Sequence, residues 1–90
     1  MNVLETRTFK NTRKKLHKNQ KEYLDEAIKQ IKANPSIGEQ KEGDLAAVRV
    51  YKFQMVNQLT LLAYSFNATT IILRLIALGS HENFYRDLKL

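Results

Sequence analysis

The chain has no cysteine and only two histidines, His17 and His81, which lie far apart in the sequence. Disulfides and thiolate metal sites are thereby excluded. No zinc ligand set can be assembled from what remains, so no metal and no cofactor are expected. Long apolar runs are missing too, since the richest stretch, residues 59–78, is interrupted by Thr60, Ser65, Asn67, Thr69, Thr70 and Arg74 and does not read as a membrane span. The start, Met1-Asn2-Val3-Leu4-Glu5-Thr6-Arg7, lacks the apolar core of a signal peptide, and a cytoplasmic location is expected. Acid is scarce at the same end. Residues 1–21 carry seven cations (Arg7, Lys10, Arg13, Lys14, Lys15, Lys18 and Lys21) against Glu5 alone, so the whole net charge of +6 resides there. Such a block suits a polyanion or an acidic protein segment; a solvated, lysine-rich helix is the plainer alternative.

With 90 residues the chain makes one domain, 1–90, able to hold a modest core. Residues 2–6 suit a short first strand. Phe9, Thr12, Arg13 and Leu16 suggest a short helix. A stronger one comes next, with Asn19 as cap, Glu22 three residues on, and Tyr23, Leu24, Ala27, Ile28 and Ile31 in a stripe of 3.6-residue period. Asn34-Pro35 ends it. Residues 9–33 thus read as a helical hairpin, its stripe buried on one face of a sheet through Leu24, Ile28 and Ile31. A polar connection over 37–44, with Gly38 and Gly43, leads to three strand-like runs at 45–53, 58–66 and 70–78. The short gaps between these runs predict an antiparallel meander. Alternation in the first run sets Arg49, Tyr51 and Phe53 against Val48, Val50 and Lys52. Helices are expected over one face of the sheet, with Lys52 projecting from the other, more open face.

The end of the chain, Leu78-Gly79-Ser80-His81-Glu82-Asn83-Phe84-Tyr85-Arg86-Asp87-Leu88, carries the densest functional signal. An apolar strand stops at Gly79, Ser80 can cap the next turn, and His81, Phe84, Tyr85 and Leu88 recur at the spacing of a short C-terminal helix. His81 and Tyr85, four residues apart, would share a helix face. One titrates near neutral pH and the other can hydrogen-bond or stack on a base. A ring that only packs or caps locally is the competing account of His81. Arg74, inside an apolar strand, reads as an ion pair with an acid such as Asp87.

The order of helices, meander and C-terminal helix, with Gly43-Asp44-Leu45 leading into Arg49-Val50-Tyr51-Lys52, resembles the RelE/ParE superfamily of bacterial type II toxin-antitoxin toxins, and its ParE-like branch in particular. Leu78-Gly79-Ser80-His81 with Tyr85 is similar to the end of YafQ-type ribonuclease toxins. The resemblance implies an α+β fold in which an N-terminal helical hairpin packs on a small antiparallel sheet, closed by a short C-terminal helix. It also implies a cognate antitoxin and metal-independent cleavage of messenger RNA on the ribosome, with a 2′,3′-cyclic phosphate as product. In that frame His81 is the acid or base, Lys52 faces the phosphorane and Tyr85 contacts a base. Arg49, Arg86, Arg13, Lys14 and Lys15 become candidate RNA contacts. The chain departs from the pattern at Leu59-Thr60-Leu61-Leu62, where RelE-type nucleases carry an arginine, and in lacking the further strand histidines and aspartate of YafQ-type toxins. Two alternatives therefore stand beside the nuclease: a ParE-like inhibitor of DNA gyrase, and a non-catalytic antitoxin-binding module.

Overall fold

The computed structural model describes residues 1–43, 46–81 and 84. In chain order the elements are β1 (Asn2–Glu5), α1 (Arg7–Lys14), α2 (Lys18–Ala33), β2 (Glu39–Gln40), β3 (Arg49–Met55), β4 (Gln58–Asn67) and β5 (Ile72–Ser80). The strands form one five-stranded sheet in the order β1-β5-β4-β3-β2. It is mixed, which corrects the expectation of an antiparallel sheet: β1 runs parallel to β5, and the other neighbours are antiparallel. Connectivity is the reason. Both helices and three strands separate β1 from its partner, and only a long crossover of that kind lets two strands run the same way. The expected C-terminal helix lies outside the described residues, apart from Phe84.

Thr6 starts α1. Its hydroxyl accepts from the Phe9 N–H at 3.0 Å and donates to the Ile76 carbonyl, so the cap also ties the helix to β5. The second helix begins earlier than the Asn19 cap would place it. His17 is the N-cap, and Gln20 reaches back to accept from the His17 N–H at 2.7 Å. This is a capping-box contact in which a glutamine three residues on satisfies one of the orphan donors of the helix start. At the other end α2 stops at Ala33, just before Asn34-Pro35, because the residue preceding a proline is pushed out of the helical region.

The two helices share one face of the sheet, α1 over β5 and α2 over β3. Their apolar side chains Phe9, Leu24 and Ile31 are wholly buried with Met55, Leu62, Tyr64, Leu73, Leu75 and Leu78, while Ile28 packs at the margin. Tyr23 drops out of the stripe and stays exposed. The opposite face is less open than alternation suggests. It carries a second buried cluster of Val50, Leu61, Ala63 and Ala77, with Phe84 lying over it.

Pairing shifts explain where the strand boundaries depart from the sequence reading. The β3 strand begins at Arg49 rather than 45, and runs to Met55, which pairs with Gln58. That leaves a two-residue turn, Val56-Asn57, in which Val56 takes φ 56°. Primed hairpin turns demand a positive φ and match the twist of the strands, so a β-branched residue is held here against its preference. In β5 the register slips: Ala63 faces Ala77 but Tyr64 faces Leu75, so Ile76 is the extra residue of a bulge. The bulge switches faces. Leu73 and Leu75 lie in the helix-side core, yet so does Leu78, while Ala77 joins the cluster on the far side. An almost unbroken apolar strand is thereby used on both faces, and the phase of its last residues is reversed.

Candidate functional site

The reversed phase sets the chemistry of the far face. Lys52 pairs with Leu61, and Leu61 with Gly79, so the three form one row across β3, β4 and β5 on the side away from the helices. Strands lie about 4.8 Å apart, which puts the Lys52 backbone about 10 Å from that of Gly79. Lys52 is exposed, and so is His81, which the chain reaches directly after β5 ends at Ser80. Gly79 is the last member of that row. A β-carbon there would meet Phe84 at ordinary contact distance, 3.8 Å from Cδ1, so Phe84 closes over the glycine and anchors the chain just beyond His81.

The other candidates separate into those the fold already holds and those it leaves free. Arg13 is held: its Nη2 donates to Glu5 Oε1 at 2.8 Å and its Nε to the same oxygen at 3.2 Å. Arg49 is half-buried, and its Nη1 donates to the carbonyls of Gly38 at 2.8 Å and Ser36 at 3.3 Å. Lys14 and Lys15 are exposed at the end of α1, a helix that packs on the sheet face opposite Lys52. Tyr85 and Arg86 lie outside the described residues, as does Asp87, the acid expected to pair with Arg74. Arg74 itself is exposed, with no ion-pair partner among the described residues.

Tyr64 has a role that the sequence reading did not assign. Its ring is wholly buried in β4, and its hydroxyl donates to the Pro35 carbonyl at 2.7 Å while accepting from the Gly38 N–H at 2.9 Å. Burial pushes the phenol above its ordinary value of 10.0, partly offset by the Gly38 hydrogen bond and the nearby Arg49 charge. Gly38 is needed for this approach, because a β-carbon there would stand 2.8 Å from both Cε1 and the hydroxyl of Tyr64. The Pro35 to Gly38 segment is thus pinned beneath the start of β3, and Arg49 is oriented with it. A buried tyrosine within an apolar strand gives no periodic cue to such a partner; the glycine and proline in the facing loop are the only hint. No group of three or more His, Cys, Asp or Glu side chains suited to a metal ion occurs among the described residues.

Comparison with known proteins identifies the frame in which this geometry sits. A family model of the ParE-like toxin of type II bacterial toxin-antitoxin systems matches residues 3–89. The chain belongs to this family. Among curated proteins none matches. Solved structures with a similar fold include a chain of the intact RelBE toxin-antitoxin complex of E. coli, at 15% identity and TM-score 0.71, with 88% of this chain and 94% of that one covered. A YoeB/ParE toxin from Agrobacterium tumefaciens aligns at 17% identity and TM-score 0.71, covering 90% and 99%. A third is an E. coli RelE mutant in complex with a peptide of the antitoxin RelBc, at 13% identity and TM-score 0.69, covering 97% and 92%. At such identities the likeness is one of fold: two helices on a mixed sheet. The protein is a toxin of a type II system, and no helix among its described residues is long and apolar enough to cross a membrane.

Proposed function

We propose that this toxin is an endoribonuclease that cuts messenger RNA on the ribosome, with a cognate antitoxin as its restraining partner. The observation that carries the reading is the β5 bulge, which brings the end of that strand into the same face and row as Lys52. In the reaction the ribose 2′-oxygen bonds to the adjacent phosphorus and the bond from phosphorus to the 5′-oxygen breaks. The 2′-hydroxyl proton must be taken up and the departing 5′-oxygen must receive one. The imidazole of His81, which can accept a proton at one nitrogen and donate from the other, takes one of these transfers. Lys52 offers positive charge toward the phosphorane, where negative charge grows, and Tyr85 contacts or stacks on a base. The RNA supplies its own nucleophile, so the step calls for no metal.

The test is cleavage by purified toxin of messenger RNA on translating ribosomes, in chelator, with the ends analysed chemically. Wild type should leave a 2′,3′-cyclic phosphate. The His81→Ala variant should lose about 10²- to 10⁴-fold in rate, as expected when one positioned acid or base is removed, and should no longer arrest growth. Lys52→Ala and Tyr85→Ala should weaken both. A His81→Ala protein that stays fully toxic while inhibiting supercoiling by DNA gyrase would overturn the nuclease in favour of a gyrase poison.

A further inference from the structure

Away from His81, where β3 begins and β4 runs on past it, the fold leaves a cleft of about 770 Å³. Among the described residues no strand pairs with residues 65–67 on the β3 side, since the β3 register stops at Arg49 opposite Tyr64. The cleft runs along this free edge, lined by Arg49, Gln40, Ser65, Phe66, Asn67 and Arg74. A second cleft, of about 500 Å³, lies on the β1 side and is lined by Leu4, Glu5, Lys10 and the same Arg74. Arg74 lines both, so the two clefts flank its side chain, and that flanking pair is the groove. Both clefts lie at this end of the sheet, between the loop before β3 and the corner where β1 passes into α1, and their linings draw on side chains of both sheet faces.

The charge of this groove is one-sided. Its cations are Arg49, Arg74 and Lys10. Glu5, the one carboxylate among its described lining residues, is already neutralised by Arg13 at 2.8 Å. Glu39, next to Gln40, faces Lys41 at 3.5 Å. Arg49 is also pre-set: two backbone carbonyls hold one guanidinium nitrogen, which fixes the plane of the group without cancelling its charge. Arginines fixed in this way suit phosphate oxygens, and the neighbouring hydroxyl and amide side chains add neutral donors. Phe66, packed against the helix-side core, contributes the part of its half-buried ring that reaches the cleft wall as apolar surface.

We propose that this Arg74-centred groove is a phosphodiester-binding track for single-stranded RNA, separate from the cutting end of the sheet. Taking RNA as the ligand rests on the ribonuclease reading, while the anion site itself rests on the groove. Arg74 lies six residues before Ser80 on β5, about 20 Å along the strand, so the track would hold nucleotides flanking those at His81. An acidic antitoxin peptide is the competing occupant. The mixture of guanidinium groups, small polar side chains and one ring favours a phosphate chain with a base over a carboxylate-bearing helix.

The experiment measures binding of an uncleavable 2′-O-methyl RNA oligonucleotide by anisotropy across a salt series, in parallel with steady-state cutting. Arg74→Gln should weaken binding about 5- to 10-fold and lower the slope of log K against log salt by about 0.7, the share of one phosphate contact on a single strand. Arg74→Lys should restore most of the slope, and in cutting Arg74→Gln should raise KM more than it lowers kcat. Binding and slope unchanged in folded Arg74→Gln would overturn the track even if cutting persists. Loss confined to an acidic peptide, with RNA binding untouched, would overturn it as well. Arg74-dependent binding by a wild type that never cuts would sustain the track and refute the nuclease.

Discussion

The two faces of the sheet are built from the same strands but treat polar side chains in opposite ways. On the helix-covered face each one is tied. The Tyr64 hydroxyl has both a donor and an acceptor, Arg49 is held by two carbonyls, and Thr6 serves a helix start and a bulge at once. On the far face Lys52 and Arg74 stand exposed without ion-pair partners among the described residues, and His81 is exposed at its end. Burying a polar group is costly unless it is hydrogen-bonded, so the covered face has to complete its contacts to fold. A cation left unpaired on a solvated surface costs little, and it remains available to a phosphate. The cost of mutation on one face should therefore fall on stability, and on the other on function.

The largest test of that division compares Leu24 with Lys52. Leu24→Ala removes a wholly buried side chain between α2 and the sheet and should cost about 2–5 kcal/mol in urea unfolding. Lys52→Ala, on an exposed strand position, should change stability by no more than about 0.5 kcal/mol while reducing growth arrest. A Lys52→Ala protein that unfolds as easily as Leu24→Ala would erase the distinction, since its loss of toxicity would then be a folding defect.

Tyr64 gives a smaller effect with a pH signature. Tyr64→Phe keeps the ring but leaves the Gly38 N–H and the Pro35 carbonyl without their partner, a loss of about 1–3 kcal/mol. Burial holds the phenol protonated in the folded chain to a pH above its ordinary 10.0. The stabilisation tied to this group is whole below the unfolded-state value and drains away as pH rises through the folded one. Wild type and Tyr64→Phe should thus differ most near neutrality and converge above pH 10.0 in unfolding experiments. A constant gap across that range would show that the hydroxyl does not titrate with unfolding.

How far the sequence discloses this molecule depends on whether a cue is local. The α2 stripe, the Asn34-Pro35 stop and the succession of strands rest on periodicity and turn residues, and they locate the core through Leu24 and Ile31. The parallel pairing of β1 is a contact across seventy residues of sequence, for which four extended residues offer no signal. The β5 bulge is hidden for another reason. Residues 71–78 are apolar at nearly every position, so alternation cannot report which face each occupies, and Arg74 among them reads as an ion pair without showing that its side chain is exposed. His17 capping α2 was masked by Asn19, an equally good cap two residues on. Of the candidate site, Lys52 is exposed on a strand whose core the sequence does delimit, and His81 is exposed just after the end of β5. Arg13 and Arg49 look like free cations in a string of letters, because their partners Glu5 and Gly38 are set only by the fold.

Arg13 supplies the finest test of the division between held and free cations. Its ion pair with Glu5 is part-exposed, 39% for the arginine and 24% for the glutamate side chain, so a double-mutant cycle with Arg13→Gln and Glu5→Gln should return a coupling of only about 0.2–1 kcal/mol. Its electrostatic effect on a bound polyanion should be small for the same reason, because the glutamate already cancels it. In the anisotropy series Lys14→Gln and Lys15→Gln should each reduce salt dependence at least as much as Arg13→Gln, although Arg13 sits in the same basic block. The decisive measurement is Arg13→Gln in the Glu5→Gln background. With its carboxylate gone, Arg13 is released to act as a free cation, and removing it there should lower RNA affinity more than removing it from wild type. If both backgrounds respond equally, Glu5 is not what withholds Arg13, and the assignment of this arginine to the fold rather than to the RNA fails.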